Sequence, residues 1–311
     1  MNKVIINLRK ILIIVFAAGL AAAVYLRSVT NYEKSGFLMD TYVTVKTEGF
    51  NAKAAAEEAY ERLAEIARKT DCHSENSALC RGEYDSDLKE VISLGKRYGQ
   101  LSGGLFDIEI RPLTRLWDIT GENPHVPSDG EIKKVLETMK TSETEFDLGG
   151  IAKGFAADKA KEVLDNYKIK NAVINLGGNV YAAGKKKIGI QNPFAENGSY
   201  MGIVTVENMS VVTAGSYQRY FEQDGIIYHH ILNPKTGYPA KTDLKSATVI
   251  AKSSADADAA STIIFMLGSG KGADFAENNG FACIMLDDKN KVHCVGDIDF
   301  EITDDNFERA D

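Results

Sequence analysis

Residues 146–158 read Phe146-Asp147-Leu148-Gly149-Gly150-Ile151-Ala152-Lys153-Gly154-Phe155-Ala156-Ala157-Asp158. A short apolar lead-in meets an acid, a glycine pair and a lysine, and a helical run follows. The order predicts a strand, a turn that exposes backbone, and a helix N-terminus. Gly149 and Gly150 admit torsions closed to other residues and let another group approach the chain without meeting a Cβ. Free N–H groups at a helix start attract phosphate, and Lys153 adds a full positive charge there. Neither the Walker loop nor the Gly-x-Gly-x-x-Gly fingerprint is met. The stretch by itself therefore fits a tight strand-to-helix connection as well as it fits a phosphate site.

The 311 residues suffice for one substantial core, and no repeat, low-complexity tract or proline-rich linker divides them, so one domain is expected. The chain opens with Lys3, Arg9 and Lys10, then sixteen residues from Ile11 to Leu26 without charge, closed by Arg27. This is the pattern of a signal peptide or signal anchor over residues 1–27, with 28–35 as linker and the body from 36 to 311. A sixteen-residue helix spans roughly 24 Å against a hydrocarbon core of about 30 Å, short for an anchor but feasible with snorkelling arginines. Basic residues ahead of the apolar run direct the body to the extracytoplasmic face of the cell membrane, or outside the cell if the run is cleaved. Removing the four basic residues of 1–27 leaves 32 basic against 44 acidic, a net −12. That balance argues against nucleic acid as a partner. Cys72, Cys80, Cys283 and Cys294 are too sparse for a disulfide framework, although one bridge within each neighbouring pair stays open.

Along the body, Phe37 to Val45 has strand character, residues 52–68 form an amphipathic helix, and another helix runs from about Asp87 to Tyr98. Between them Thr70 to Arg81, with His73, is polar and turn-like. Ser102-Gly103-Gly104-Leu105-Phe106-Asp107 suits either a pocket edge facing a planar ligand or a turn entering a strand. Ser128 and Glu131 make a capping box for a helix through Lys140. Asn171 to Val180 is a strand carrying the pair Gly177-Gly178, and Lys187–Gln191, Met201–Val206 and Ser210–Thr213 are further strands.

Two stretches carry chemistry. Ile226 to His230 is a strand leading to the turn Asn233-Pro234-Lys235-Thr236-Gly237. Its histidines, His229 and His230, fall on opposite faces, so they cannot share a zinc ion. His230, nearer the turn, suits a general base, while a structural role for both histidines stays open. Ser253 to Thr262 opens a helix, with a serine N-cap and Asp256 explained by the first-turn dipole. Asp258, Ser261 and Thr262 stand at i, i+3 and i+4 on one face and offer only oxygen, which selects a hard ion such as Mg²⁺.

Taken together, Met39-Asp40-Thr41, Ser102 through Trp117, Asp147 through Asp158, Asn175-Leu176-Gly177-Gly178, Thr213-Ala214-Gly215, His230-Ile231-Leu232-Asn233-Pro234-Lys235-Thr236-Gly237 and Asp258 through Thr262 follow the order seen in the ApbE family. The chain resembles an FAD:protein FMN transferase from about residue 36 to 300. The resemblance implies a single-domain α+β fold related to the T-fold, with mixed and antiparallel sheets and packed helices. It implies FAD in a cleft, with Mg²⁺ at the diphosphate held by Asp258, Ser261, Thr262 and the Gly150 carbonyl. FAD would meet Met39, Leu105, Phe106, Asp107, Asp147, Lys153, His230 and Ile231, with His73 at an aromatic stacking position. The family usually has Gly where Asp40 stands. The implied reaction moves FMN from FAD to a Thr or Ser hydroxyl of an acceptor protein, such as a subunit of a membrane redox complex, and releases AMP. The same residues would also serve a Mg²⁺-dependent FAD diphosphatase, and a non-catalytic FAD-binding protein is the remaining alternative.

Overall fold

A computed structural model describes residues 12–20, 30–141, 144–195 and 198–310. Residues 12–20 are helical (α1) and exposed, and the rest of the expected leader lies outside the described residues. Among the described residues no helix is long and apolar enough to cross a membrane.

The architecture is α+β. One large sheet runs in the order β1 (Thr30–Leu38), β2 (Thr41–Gly49), β3 (Asn171–Leu176), β4 (Asn179–Gln191), β5 (Tyr200–Gly215), β8 (Leu244–Ala251), β9 (Ala282–Asp287), β10 (Lys291–Val295) and β12 (Glu308–Arg309). The strand β11 (Asp299–Ile302) pairs with β5, and among the described residues only β10 and β12 run parallel. β6 (Tyr220–Gln223) and β7 (Ile226–His229) form a separate hairpin. One face of the large sheet is covered by α2 (Ala52–Thr70), α7 (Ala152–Asn166) and α8 (Ser254–Asn278). Small residues permit this close layering. Ala52, Ala55, Ala56 and Ala59 are all fully buried on α2, and Ala156, Ala157 and Ala160 do the same on α7. The opposite face is closed by Ile190, Met201, Val204, Ile250, Ile284 and Phe300. The remaining helices are α3 (Ala78–Arg81), α4 (Ser86–Leu101), α5 (Arg111–Trp117) and α6 (Asp129–Thr138), of which α4 packs on α2 and α8.

Several expectations needed correction. The linker expected over 28–35 is mostly β1, and Phe37 to Val45 is two strands joined by Met39 and Asp40, both at positive φ (51° and 57°) in a two-residue hairpin turn. Gly177 and Gly178 make a second such turn, splitting the strand expected over 171–180 into β3 and β4. The two turns touch, because a Cβ on Gly177 would stand 2.0 Å from Thr41 Oγ1. The strands expected at 201–206 and 210–213 are one, β5. Phe146 to Leu148 is not a strand: Asp147 N–H donates to the Ile108 carbonyl (2.7 Å), but the Leu148 carbonyl turns to the amides of Ile151 and Ala152 (2.9 and 2.8 Å) at the start of α7. The segment after Asp107 enters helix α5 rather than a strand, with Pro112 in its first turn. The Ser128–Glu131 capping box is present, and its helix stops at Thr138. All four cysteines are free. Cys283 opposes Val295 rather than Cys294, which places the two thiols on opposite faces of the sheet.

Candidate functional site

The first half of α8, up to its break at Gly268 (φ 81°), is buried almost all round, as a core segment must be. Its polar residues are therefore informative, and the foremost is Asp258, 7% exposed one turn in from the N-terminus. The start of α8 is fixed from three sides. Ser253 caps it through the Asp256 amide, and the Asp158 carboxylate on α7 accepts from Ser253 Oγ (2.8 Å), Ser254 N (2.8 Å) and Ala255 N (3.0 Å). Asp256, whose position the helix dipole alone seemed to explain, instead accepts from Tyr98 Oη (2.7 Å) and Arg97 (2.6 Å) on α4. Three elements thus hold the turn that carries Asp258.

α7 approaches that turn through Gly154, where a Cβ would lie 2.3 Å from the Ser254 carbonyl oxygen. The contact lets the Gly154 N–H donate to Asp258 Oδ2 at 2.8 Å. Gly154 is the third residue of α7, one of the first-turn amides that have no acceptor within their own helix, and Asp258 satisfies it from α8. The Gly150 carbonyl, ahead of the helix, accepts no hydrogen bond among the described residues. Gly154→Ala should cost about 1–3 kcal/mol through overpacking. It should also release the Gly150 carbonyl and Asp258 from register, read as a lower melting temperature together with lost activity.

Burial raises the Asp258 carboxyl to about 6, with Lys153 pulling it down and the Gly154 amide helping. Asp258 Oδ1 makes no hydrogen bond or ion pair among the described residues. Ser261 Oγ and Thr262 Oγ1 both donate to the Asp258 carbonyl (2.9 and 3.4 Å), which leaves their lone pairs free to ligate. One carboxylate oxygen, two hydroxyls and one bare carbonyl are an all-oxygen donor set suited to a hard cation. No cluster of three His, Cys, Asp or Glu occurs among the described residues, so a thiophilic site has no counterpart there.

Lys153 sits in the first turn of α7. Its ammonium is pressed below its ordinary value chiefly by burial, Asp258 opposing, and it has no hydrogen bond or ion pair among the described residues. The turn before it is rigid. Asp147 Oδ1 accepts from Gly149 N (2.9 Å), its Oδ2 accepts from Thr114 Oγ1 (2.7 Å), and Phe106 lies beneath Gly150, where a Cβ would meet its ring at 2.9 Å. Phe106 is itself buried edge-on to Tyr98. Leu105 is half-buried beside it, and Asp107 accepts from Glu109 N with its carboxyl raised by burial. Gly104, in turn, reaches Lys235.

His230 lies just past the end of β7 rather than on it. Its N–H and its Nδ1 both face the Arg219 carbonyl (3.1 Å each). A ring nitrogen facing a carbonyl carries the proton, so Nε2 is the bare, basic nitrogen. Burial, then the charges of Arg219 and Lys153, lower this histidine to about 3. His229 points away, into the core, with Nε2 on the Ala240 carbonyl and its ring edge-on to Phe265. Ile231 is buried and holds Ala240 N through its carbonyl. The following loop is seated by Trp117 Nε1 donating to the Gly237 carbonyl (2.7 Å).

The structure draws together Lys153, Gly154 and Asp258 at the α7–α8 contact, with Ser261 and Thr262 on the Asp258 carbonyl, while Gly150 lies in the turn ahead of α7, against Phe106. Charges link Lys153 to His230, Asp40 and Arg219, and Arg219 touches the Met39 carbonyl. His73 differs. Its loop comes beside Asp147, whose charge acts on Cys72, but its exposed imidazole makes no ring contact. Sequence reading missed Asp158 and Arg219. Asp158 acts on residues about 95 positions away, a spacing no local pattern marks, and Arg219 belongs to no motif.

The ApbE family profile matches residues 39–285. The FAD:protein FMN transferase of Klebsiella pneumoniae (strain 342) is 38% identical over 199 residues, covering 59% of this chain and 63% of that one, short of two thirds of its length. The FAD:protein FMN transferase of Treponema pallidum (strain Nichols) is 30% identical over 277 residues, 75% of this chain and 76% of its own. The crystal structure of the ApbE protein of Thermotoga maritima superimposes with a TM-score of 0.79 at 28% identity, covering 86% of this chain and 97% of that one. With the glycine turn, the α7–α8 contact and the histidine loop all inside the matched span, this chain belongs to the ApbE family.

Proposed function

We propose that the protein transfers FMN from FAD to a Thr or Ser hydroxyl of an acceptor protein. The observation that carries this reading is the α7–α8 contact. It holds one buried carboxylate, with Oδ2 on the Gly154 amide and Oδ1 unbonded among the described residues, close to a buried lysine that has no hydrogen bond or ion pair there, which suits a polyanion and its cation. The acceptor oxygen attacks the FMN-side phosphorus, the bond to the bridging oxygen breaks, and AMP departs. The proton passes to His230 Nε2, oriented by the Arg219 carbonyl. A base lowered to about 3 in the free protein is weak. Burial is the larger cause, and a diphosphate against Lys153 offsets the share owed to the Arg219 and Lys153 charges, which raises the proton affinity of His230. Lys153 neutralises charge that grows on the phosphoryl oxygens. Mg²⁺, held by Asp258, Ser261, Thr262 and the Gly150 carbonyl, would supply further neutralisation of the diphosphate.

The basic and apolar leader supports an extracytoplasmic body associated with the membrane, where acceptors would be exported flavoproteins or subunits of membrane redox complexes. Incubation with FAD in Mg²⁺ or in excess chelator, with nucleotides separated by chromatography, tests the cation. AMP should form only with the metal, and equal release in chelator would sink the assignment of the oxygen cluster.

A further inference from the structure

We propose that Arg219 is a second cation for the substrate diphosphate, parked in the free protein on Asp40 and the Met39–Asp40 turn. The inference rests on FAD being the substrate. Its Nη2 lies 3.4 Å from the Met39 carbonyl and 3.5 Å from that of Asp40, and its Nη1 lies 3.9 Å from Asp40 Oδ2. Seated guanidinium contacts to carboxylate or phosphate are shorter, about 2.7–2.9 Å. The guanidinium is therefore loosely placed, while the main chain beneath it is fixed by His230, whose N–H and Nδ1 both bind the Arg219 carbonyl. Slack confined to the side chain is what a group that re-aims on ligand binding requires.

The surroundings say what it re-aims at. Arg219 stands near enough for its charge to act on Lys153 and on His230, and Lys153 has no hydrogen bond or ion pair among the described residues. Two cations brought together repel unless an anion lies between them. A diphosphate fits that need, since each cation can face a separate phosphate oxygen. Asp40 is the resident competitor. Its side chain is 73% exposed, and a pair this exposed and this long is weak, so a diphosphate displaces it. Asp40 also sits at φ 57°, which glycine adopts without strain, so Asp40→Gly removes the competitor and preserves the turn.

The test is fluorescence titration of FAD, and of riboflavin, which lacks the diphosphate, into the full-chain protein and three variants, with thermal melts alongside. Arg219→Gln should weaken FAD about tenfold and Arg219→Lys by no more than about threefold, by the strength of charge-assisted bonds. Asp40→Gly should tighten FAD by roughly two- to threefold, the weight of an exposed pair. Riboflavin affinity should not move. Unchanged FAD affinity in Arg219→Gln, equal losses for FAD and riboflavin, or weaker FAD in Asp40→Gly would overturn the assignment. If Arg219→Gln melts early, Asp40→Gly and Arg219→Lys decide by the same criteria. A parent protein that binds riboflavin and FAD alike would overturn the diphosphate site, and one that binds no flavin would overturn the proposed function itself.

Discussion

Asp258→Asn should be folded, more stable than the parent in metal-free buffer at pH 7.5, and slower in releasing AMP from FAD by about 10²–10³-fold, the scale of losing one preorganised electrostatic contact. The stability half follows from linkage. Burial raises the Asp258 carboxyl from 3.8 to about 6. Between those values the folded protein keeps a proton that the unfolded chain has lost. Stability therefore falls as pH rises through that window, and the deficit is complete above 6. By the relation of about 1.4 kcal/mol per tenfold, it amounts to roughly 3 kcal/mol, an order of magnitude only. Asn carries no charge to desolvate, and its carbonyl still accepts from Gly154. The activity half follows because the amide cannot neutralise a cation. Thermal melts at pH 4.5 and 7.5 with chelator, beside AMP assays in Mg²⁺, read both. A variant that melts below the parent at pH 7.5, or that keeps a tenth of the rate, contradicts the role given to Asp258.

His230→Gln should slow transfer by about 10²–10⁴-fold, the usual weight of a positioned base. FAD affinity should change by less than about threefold, since glutamine keeps a donor for the Arg219 carbonyl. Because His230 stays neutral in the free protein down to about 3, no histidine step should appear in kcat/KM between pH 5 and 8. The kcat profile reports the complex, and with the proposed diphosphate against Lys153 its acid limb should stand at higher pH. Equal losses of rate and of FAD affinity would make His230 a binding residue and not a base.

The α+β class and the order of the site segments were legible because local chemistry marks them: a glycine pair before a helix start, and hydroxyls three and four residues after an acid. What was hidden depends on tertiary partners. β1 is an edge strand with alternate residues in water, and from Asn31 to Ser35 only Tyr32 breaks a polar run, so that part lacks an apolar pattern. The Met39–Asp40 turn bends where neither residue is the glycine or asparagine that announces such turns. Phe146 to Leu148 reads as strand by composition, yet Asp147 spends its side chain on Gly149 and Thr114 and leaves the ladder. Lys153 could be singled out from its place beside the glycines. Its lack of a hydrogen bond or ion pair among the described residues, the property that suits it to a phosphate, belongs to the packed molecule alone.

The central claim is transfer to a protein hydroxyl, and intact mass of the acceptor tests it most directly. Purified protein, FAD, Mg²⁺ and an exported acceptor domain from the same cell are incubated, and the acceptor is weighed as AMP is counted. The acceptor should gain one FMN unit for each AMP released, and lose that gain with Asp258→Asn. Free FMN and AMP with the acceptor unmodified would contradict transfer and leave a diphosphatase.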